Sequence, residues 1–349
     1  MAVIGNGTIA NSQHGPAYLK NPLSEIKYCV DIIPERAQAF REKFNGEYAI
    51  TDYHEAIADP EVDIVSVCVP NYLHAPITID SLKAGKHVLC EKPAALNYAE
   101  ASAMKKAADD NRRILNIGVV NRFNTAVNRV KEKIDAGELG KLYHIYCSFR
   151  AYRSIPGLGG PFTTKEMAGG GVLIDWGVHY LDLVLYCIGN PAIRTVSAAA
   201  YSEMAKDMKD YAYTSMWAGP PDYNGTCDVE DLVTGMIRTS GPTITLNGAW
   251  AQNINDDKAT FIEFLGDKAG IKLQYGGNYT MWSSENGVLY ETKPSFPMAD
   301  MFYDEIDAFI KCSQEGKKIR SNIDHVIASS LLMDKIYESA AKEKEVEIG

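Results

Sequence analysis

Through residues 1–120, short apolar runs alternate with stretches whose apolar positions recur at helical spacing. The runs are Ala2–Ile4, Lys27–Val30, Val62–Val69, His87–Cys90 and Ile114–Gly118; the amphipathic stretches lie near 8–20, 34–44, 74–84 and 97–110. Asn97 followed three residues later by Glu100 gives the last stretch a capping-box start. Buried strands alternating with helices predict βαβ units, right-handed crossovers and a parallel sheet covered on both faces. Past Asn121-Arg122-Phe123 a helix is predicted to about Asp135, ended by Gly137 and Gly140. The pattern then changes. Lys141–Tyr152 alternates and is rich in tyrosine, as a strand of a new sheet would be. Further strands are predicted at Arg194–Ala200, Val233–Thr239, Thr243–Ala249 and Thr260–Leu265, with turn signals such as Ser240-Gly241-Pro242 between them. That pattern is antiparallel. Helices near 299–312 and 322–341 close the chain, and no internal repeat is visible.

Composition narrows the classes. A chain of 349 residues has room for two domains and a large core. A formal net charge of −10 argues against a nucleic-acid backbone or an anionic membrane as partner. No apolar run is long enough to span a bilayer, and no secretory signal is visible. The seven cysteines form no CxxC pair and most sit in apolar runs, as small buried side chains in a reducing compartment do. A cytoplasmic location is expected. The chain opens inside a strand, so leading residues are expected to be missing from this numbering.

Candidate chemistry gathers at strand ends. Gly5-Asn6-Gly7-Thr8-Ile9-Ala10 follows the first strand and opens a helix. Its glycines permit a tight turn and close approach of a pyrophosphate, while the helix start offers free N–H groups. Asp31 ends the second strand, where an acid accepts hydrogen bonds from a ribose and repels a 2′-phosphate, so NAD is favoured over NADP. The same Asp31 would also suit the start of the turn into the next helix. Pro70, Asn71 and His74 follow another strand and are candidates for the cofactor wall, although His74 would serve equally to open the next helix. In Cys90-Glu91-Lys92-Pro93 a charged pair closes an apolar run, which is odd for packing and ordinary for a binding crevice. Pro93 fixes the backbone there and allows a cis bond after Lys92.

In the second half, three glycines (Gly169, Gly170, Gly171) precede Asp175, Trp176, His179 and Asp182. Spacing of i, i+4, i+7 stacks Asp175, His179 and Asp182 on one helical face, where a carboxylate can orient an imidazole base. Asp175 with His179 also resembles a pair of metal ligands, but without a second histidine cluster no metal is expected. Ile155–Pro161 is expected to lie over the site as a loop. Tyr201–Cys227 is long and aromatic, suited to stacking on a sugar ring or to a subunit contact. Asp228-Val229-Glu230-Asp231 is expected to be a solvated strand entry.

The glycine turn, the Pro70-Asn71-x-x-His74 segment and the run Ala84-Gly85-Lys86-His87-Val88-Leu89-Cys90-Glu91-Lys92-Pro93 together resemble the Gfo/Idh/MocA oxidoreductases, the glucose–fructose oxidoreductase and inositol dehydrogenase family. The resemblance implies an α/β Rossmann domain over 1–120, followed over 121–349 by an α+β domain with a large, mostly antiparallel open sheet. A C-terminal helix within about 299–341 is expected to pack back toward the Rossmann domain. The implied activity is NAD-dependent oxidation or reduction of a secondary hydroxyl on a sugar, glycoside or cyclitol, with a lean toward C3 of a glucoside. Redox cycling with retained NAD, giving glycoside cleavage or isomerisation, is the alternative, and a non-catalytic NAD-binding regulator is a further one. Lys92, His179 and Asp175 are the expected catalytic residues. Gly5, Gly7, Thr8, Ile9, Asp31, Pro70, Asn71, His74, Glu91 and Lys92 are expected at the cofactor, and Arg122, Tyr152, Arg153, Trp176, Asp175 and His179 at the substrate. An uncovered sheet face further implies a homo-oligomer, a dimer or tetramer.

Overall fold

The computed structural model describes residues 1–254 and 258–348. The chain divides into two compact units: residues 1–123 with 299–327, and residues 124–298 with 328–349.

In the first unit, strands β1 (Ala2–Ile4), β2 (Tyr28–Val30), β3 (Tyr48–Ile50), β4 (Ile64–Val67), β5 (His87–Glu91) and β6 (Leu115–Gly118) form a six-stranded sheet of order β3-β2-β1-β4-β5-β6. All its pairings are parallel. This is the doubly wound order, whose direction reverses between β1 and β4. Successive residues feed opposite layers: Val88 and Cys90 of β5 enter one apolar cluster with Ile323 and Val326, whereas Leu89 enters the other with Tyr18, Phe40 and Phe309. Arg122 is 1% exposed, and its guanidinium donates to the carbonyls of Arg320 (2.5 Å) and His325 (2.9 Å) in the same unit. It therefore braces the returning segment 299–327 from within the unit, through main-chain carbonyls.

The second unit is built on β7 (Leu142–Ala151), β8 (Ile193–Tyr201), β9 (Leu232–Thr239), β10 (Thr243–Ala249), β11 (Lys258–Gly266), β12 (Ala269–Gln274), β13 (Tyr279–Glu285), β14 (Val288–Thr292) and β15 (Val346–Glu347). Their order is β14-β13-β12-β11-β7-β10-β9-β8-β15, with β7 and β10 parallel and the other described pairs antiparallel. Ile145, Cys147 and Phe149 alternate into the core beneath helix Val178–Cys187. On the sheet, Tyr143, Tyr146, Tyr201, Trp282, Leu289 and Tyr290 are exposed.

Several elements differ from the hydrophobic pattern. The first helix opens as a π-helical turn, Ala10–His14, before α-helix Gly15–Lys20. Strand β3 and helix Tyr53–Ala58 were not predicted, because three half-exposed residues and a six-residue helix carry too little periodicity to register. Strand β14 is exposed throughout, so its sequence lacks alternation. The acidic run before β9 is a clear correction: Glu230 and Asp231 are only 7% and 5% exposed. Helix Tyr98–Asn111 begins as its sequence implies, with Asn97 Oδ1 accepting from Glu100 N (2.9 Å) and Asn97 Nδ2 donating to Glu100 Oε1 (3.1 Å). Asn97→Ala is expected to cost about 1 kcal/mol, read as a lower denaturant midpoint at unchanged slope.

Candidate active site

The glycine turn forms where β1 ends. Gly5 has φ +87°, and a Cβ there would collide with the carbonyl of Cys68, so only glycine fits. Gly7 differs: a Cβ there would meet no atom within 4 Å. Its open side faces a cleft of about 600 Å³ lined by Asn6, Gly7, Thr8, Asn11, Ser12, Arg36 and Lys43. Ile9, half-buried, leads into the π turn. Asn11 Nδ2 donates to the carbonyls of Asn6 (2.8 Å) and Gly7 (3.1 Å), which keeps those acceptors turned away and the turn's shape fixed. Asp31 joins the turn directly: one carboxylate oxygen accepts from Asn6 N and the other from Ile33 N, each at 2.9 Å. Two cationic side chains, the helix start and an open glycine fit a dinucleotide's phosphates. Asp31 follows β2 and is held against this turn by Asn6 N.

The other predicted positions of this unit lie along the same edge of the sheet. Pro70 is exposed and Asn71 begins a short 3₁₀ turn leading into helix His74–Lys83. His74 is buried; its Nδ1 lies 2.7 Å from Pro93 O and its Nε2 2.9 Å from Val69 O. Burial lowers its pKa, outweighing the two carbonyls, which act to raise it. His74 thus ties the Val69 and Pro93 segments together from behind. Lys92 is half-buried, and the Lys92–Pro93 bond is cis.

Glu91 is buried, with Oε1 2.8 Å from His14 Nε2 and Oε2 accepting from Lys92 N at 3.1 Å. Burial opposes its ionisation, but the hydrogen bond and charge of His14, with Lys92 adding, hold the carboxyl below its ordinary range. Against the same burial, Cys68 and Glu91 hold His14 well above its ordinary value. Nothing local in the sequence marked His14, whose partner lies 77 residues away.

In the second unit, Gly170 and Gly171 let distant segments of the chain meet closely. A Cβ on Gly171 would sit inside the main chain of Glu230, and one on Gly170 would strike the Tyr337 hydroxyl. Glu230 meets the otherwise unpaired N–H groups of the buried helix start: its carboxylate accepts from Gly171 N (2.9 Å), Leu173 N (3.0 Å) and Tyr337 Oη (2.9 Å). A second π turn, Leu173–Gly177, follows and carries Asp175 and Trp176 into helix Val178–Cys187. Asp175 is buried and accepts from Trp250 Nε1 at 3.2 Å. Trp176 and His179 are half-buried, and the His179 ring lies 6.1 Å from Tyr275, which stacks on Tyr180 at 4.5 Å. Asp182 is 2% exposed within the packed face of the helix. The unit therefore sets one acid against a tryptophan, and half-exposes the imidazole one helical turn further on. Trp250 had no assigned role in the sequence, and Glu230 was expected only as part of a solvated strand entry.

Arg153 lies over the rings of Tyr152 (5.8 Å) and Tyr211 (5.7 Å) and donates to Asn253 Oδ1 at 2.7 Å. The loop after it is closely laced to the 214–228 segment, with Asp222 N donating to Leu158 O (2.8 Å) and Thr163 Oγ1 to Thr226 O (2.8 Å). Phe162 and Trp217 meet edge to face at 4.9 Å. Among the described residues, no helix is long and apolar enough to cross a membrane.

A doubly wound sheet with a phosphate-ready glycine turn, joined to an α+β unit bearing an acid–imidazole helix, defines a nicotinamide-dependent oxidoreductase. The chain belongs to the GFO/IDH/MocA oxidoreductase family: residues 1–119 match its NAD-binding Rossmann fold and residues 127–272 its C-terminal domain. It is 32% identical to D-glucoside 3-dehydrogenase of Escherichia coli over 100% of this chain and 97% of that protein. Levoglucosan dehydrogenase of Pseudarthrobacter phenanthrenivorans is 26% identical over 100% of this chain and 97% of that protein. A solved levoglucosan dehydrogenase in complex with NADH and L-sorbose superposes with a TM-score of 0.84, at 24% identity, covering 100% of this chain and 98% of that one. The first unit is an NAD-binding Rossmann fold.

Two outcomes follow from this geometry. Gly7→Val is expected to leave the melting temperature nearly unchanged and to weaken NADH binding about tenfold or more, measured by nucleotide fluorescence, because the new side chain fills the cleft. Glu230→Ala leaves two buried N–H groups and a hydroxyl unmet, a loss of at least about 2 kcal/mol in urea unfolding. Burial raises the Glu230 pKa above its ordinary 4.5, so the native state holds this proton more tightly than the unfolded chain. Its stabilising share is then complete below about pH 4.5 and declines as pH rises through the folded value. Glu230→Gln is expected to remove that part of the pH dependence.

Proposed function

We propose that this enzyme oxidises a secondary ring hydroxyl of a sugar, glycoside or cyclitol with NAD, and that C3 of a glucoside is the favoured position. The end-to-end match to a D-glucoside 3-dehydrogenase carries this reading. The glycine turn with Gly5, Gly7, Thr8 and Ile9 takes the pyrophosphate, and Asp31 the ribose hydroxyls. Pro70 and Asn71 belong to the cofactor wall, with His74 and Glu91 bracing it. Bound NAD supplies the hydride acceptor.

In this reading His179 takes the hydroxyl proton as the carbon's hydride departs, leaving a carbonyl. Asp175, held by Trp250, positions the substrate or the imidazole. The Lys92 ammonium stabilises negative charge developing on the oxygen. Tyr152, Arg153 and Trp176 contact the substrate, and the laced loops at 155–163 and 214–228 shape its binding. Seven free cysteines support a reducing, cytoplasmic setting. The exposed aromatic residues of the second sheet, among them Tyr146, Tyr201, Trp282 and Tyr290, support assembly into a homo-oligomer, a dimer or tetramer.

The test follows NADH absorbance across free sugars, glucosides and inositols. Glucosides are expected to give the highest kcat/KM. Absence of NADH formation with every polyol, or net substrate conversion without added NAD, contradicts the reading. His179→Ala is expected to lower kcat by roughly 10²- to 10⁴-fold. Lys92→Ala is expected to lower it strongly while NADH affinity stays within a few-fold.

A further inference from the structure

A polar chain runs through the apolar layer on one face of the first sheet. Ser66 of β4 and Glu91 of β5 point into the layer that holds Val3, Leu89, Phe40 and Phe309. His14, wholly buried at the end of the first π turn, bridges them, with Nδ1 2.9 Å from Ser66 Oγ and Nε2 2.8 Å from Glu91 Oε1. Tyr18 Oη closes the chain on Ser66 at 3.0 Å. At the other end, Glu91 Oε2 accepts the Lys92 N–H. Gly118 on β6 leaves space for this carboxylate, since a Cβ there would lie 3.1 Å from Glu91 Oε2.

We propose that His14 and Glu91 are positioning residues for Lys92, a buried pair that links the phosphate-binding turn to the lysine's backbone and sets the charge behind its ammonium. The proposal rests on the role given to Lys92 above. Both carboxylate oxygens are engaged, one by the imidazole and one by the main chain, so neither the acid nor the lysine's backbone shifts without the other. A charged pair in an apolar layer is costly to place there. Its location, one residue before the reactive lysine and within the helix that opens at the cofactor turn, gives that cost a use. The titratable groups facing the pair are Lys92, Cys68 and Tyr18, with Glu305 acting on Tyr18 and His74 within reach of Glu91.

The test uses the full-length enzyme with Glu91→Gln, Glu91→Asp, His14→Ala, His14→Gln and Lys92→Ala, each checked for NADH binding and melting temperature. Glu91→Gln removes the negative charge that adjoins Lys92 in the chain. It is expected to lower kcat roughly 10- to 100-fold and to move the alkaline limb of the kcat profile about one pH unit toward lower pH. Glu91→Asp retains the charge and is expected to lower kcat without moving that limb. His14→Gln keeps a donor toward Glu91 and is expected to recover part of the kcat lost in His14→Ala, with KM for NAD within about threefold of the parent. An unmoved limb in Glu91→Gln, or kcat losses that only follow lost NADH binding or lost fold, overturns the proposal. Lys92→Ala separates the two claims. Retained turnover in that variant removes the reading of Lys92 itself, whereas lost turnover with an unmoved Glu91→Gln profile removes only the pair's role.

Discussion

A carboxylate sealed from water is tolerated only when donors meet its oxygens. Each unit organises its chemistry around such a group. In the first, Glu91 closes on an imidazole and on the main chain of Lys92. In the second, Glu230 closes on the N–H groups of Gly171 and Leu173 and on a tyrosine hydroxyl. Neither acid needs to touch a substrate. Each fixes a stretch of main chain, at Lys92 in one case and at the start of the Asp175–His179 helix in the other.

The helices behind both sites begin with a π-helical turn, Ala10–His14 and Leu173–Gly177. A π turn changes the phase of everything after it by part of a turn, and such turns occur often at functional positions. Here the first delivers His14 to Glu91 and the second delivers Asp175 to Trp250. The i, i+4 spacing of Asp175 and His179 suggested one straight α-helical face. In the structure the two residues share a helix whose first turn is wider, and their exposure differs, Asp175 buried and His179 half-buried.

The sequence made the doubly wound sheet legible because its central strands are continuous apolar runs, bounded by glycine turns and capped helices. The glycine turn after β1 was legible for the same local reason. What escaped was set by distant partners. The Asp228–Asp231 run was read as solvated since clustered acids normally are, yet Tyr337, 107 residues later, and a turn of glycines bury Glu230. Arg122 has the same history: its acceptors are carbonyls some 200 residues along the chain, at Arg320 and His325. No window on the sequence contains both ends of such contacts. The outer strands β13 and β14 escaped for the opposite reason, since their many exposed positions erase the alternation that marks a strand.

The helix Ile323–Lys342 is divided between the two units, its first residues completing one core with Ile323 and Val326 and its later ones completing the other with Leu332, Met333 and Ile336. This has a consequence for the order of events on the ribosome. Residue 123 emerges long before residue 327, and at typical synthesis rates the interval is roughly 10 to 40 seconds. Throughout it the first sheet lacks the segment that Arg122 clasps and part of both apolar layers. The nascent amino-terminal unit therefore waits, incompletely packed, while strands β7 to β14 of the second sheet are made, and the two cores receive their last residues in close succession, Val326 for the first and Val346 for the second.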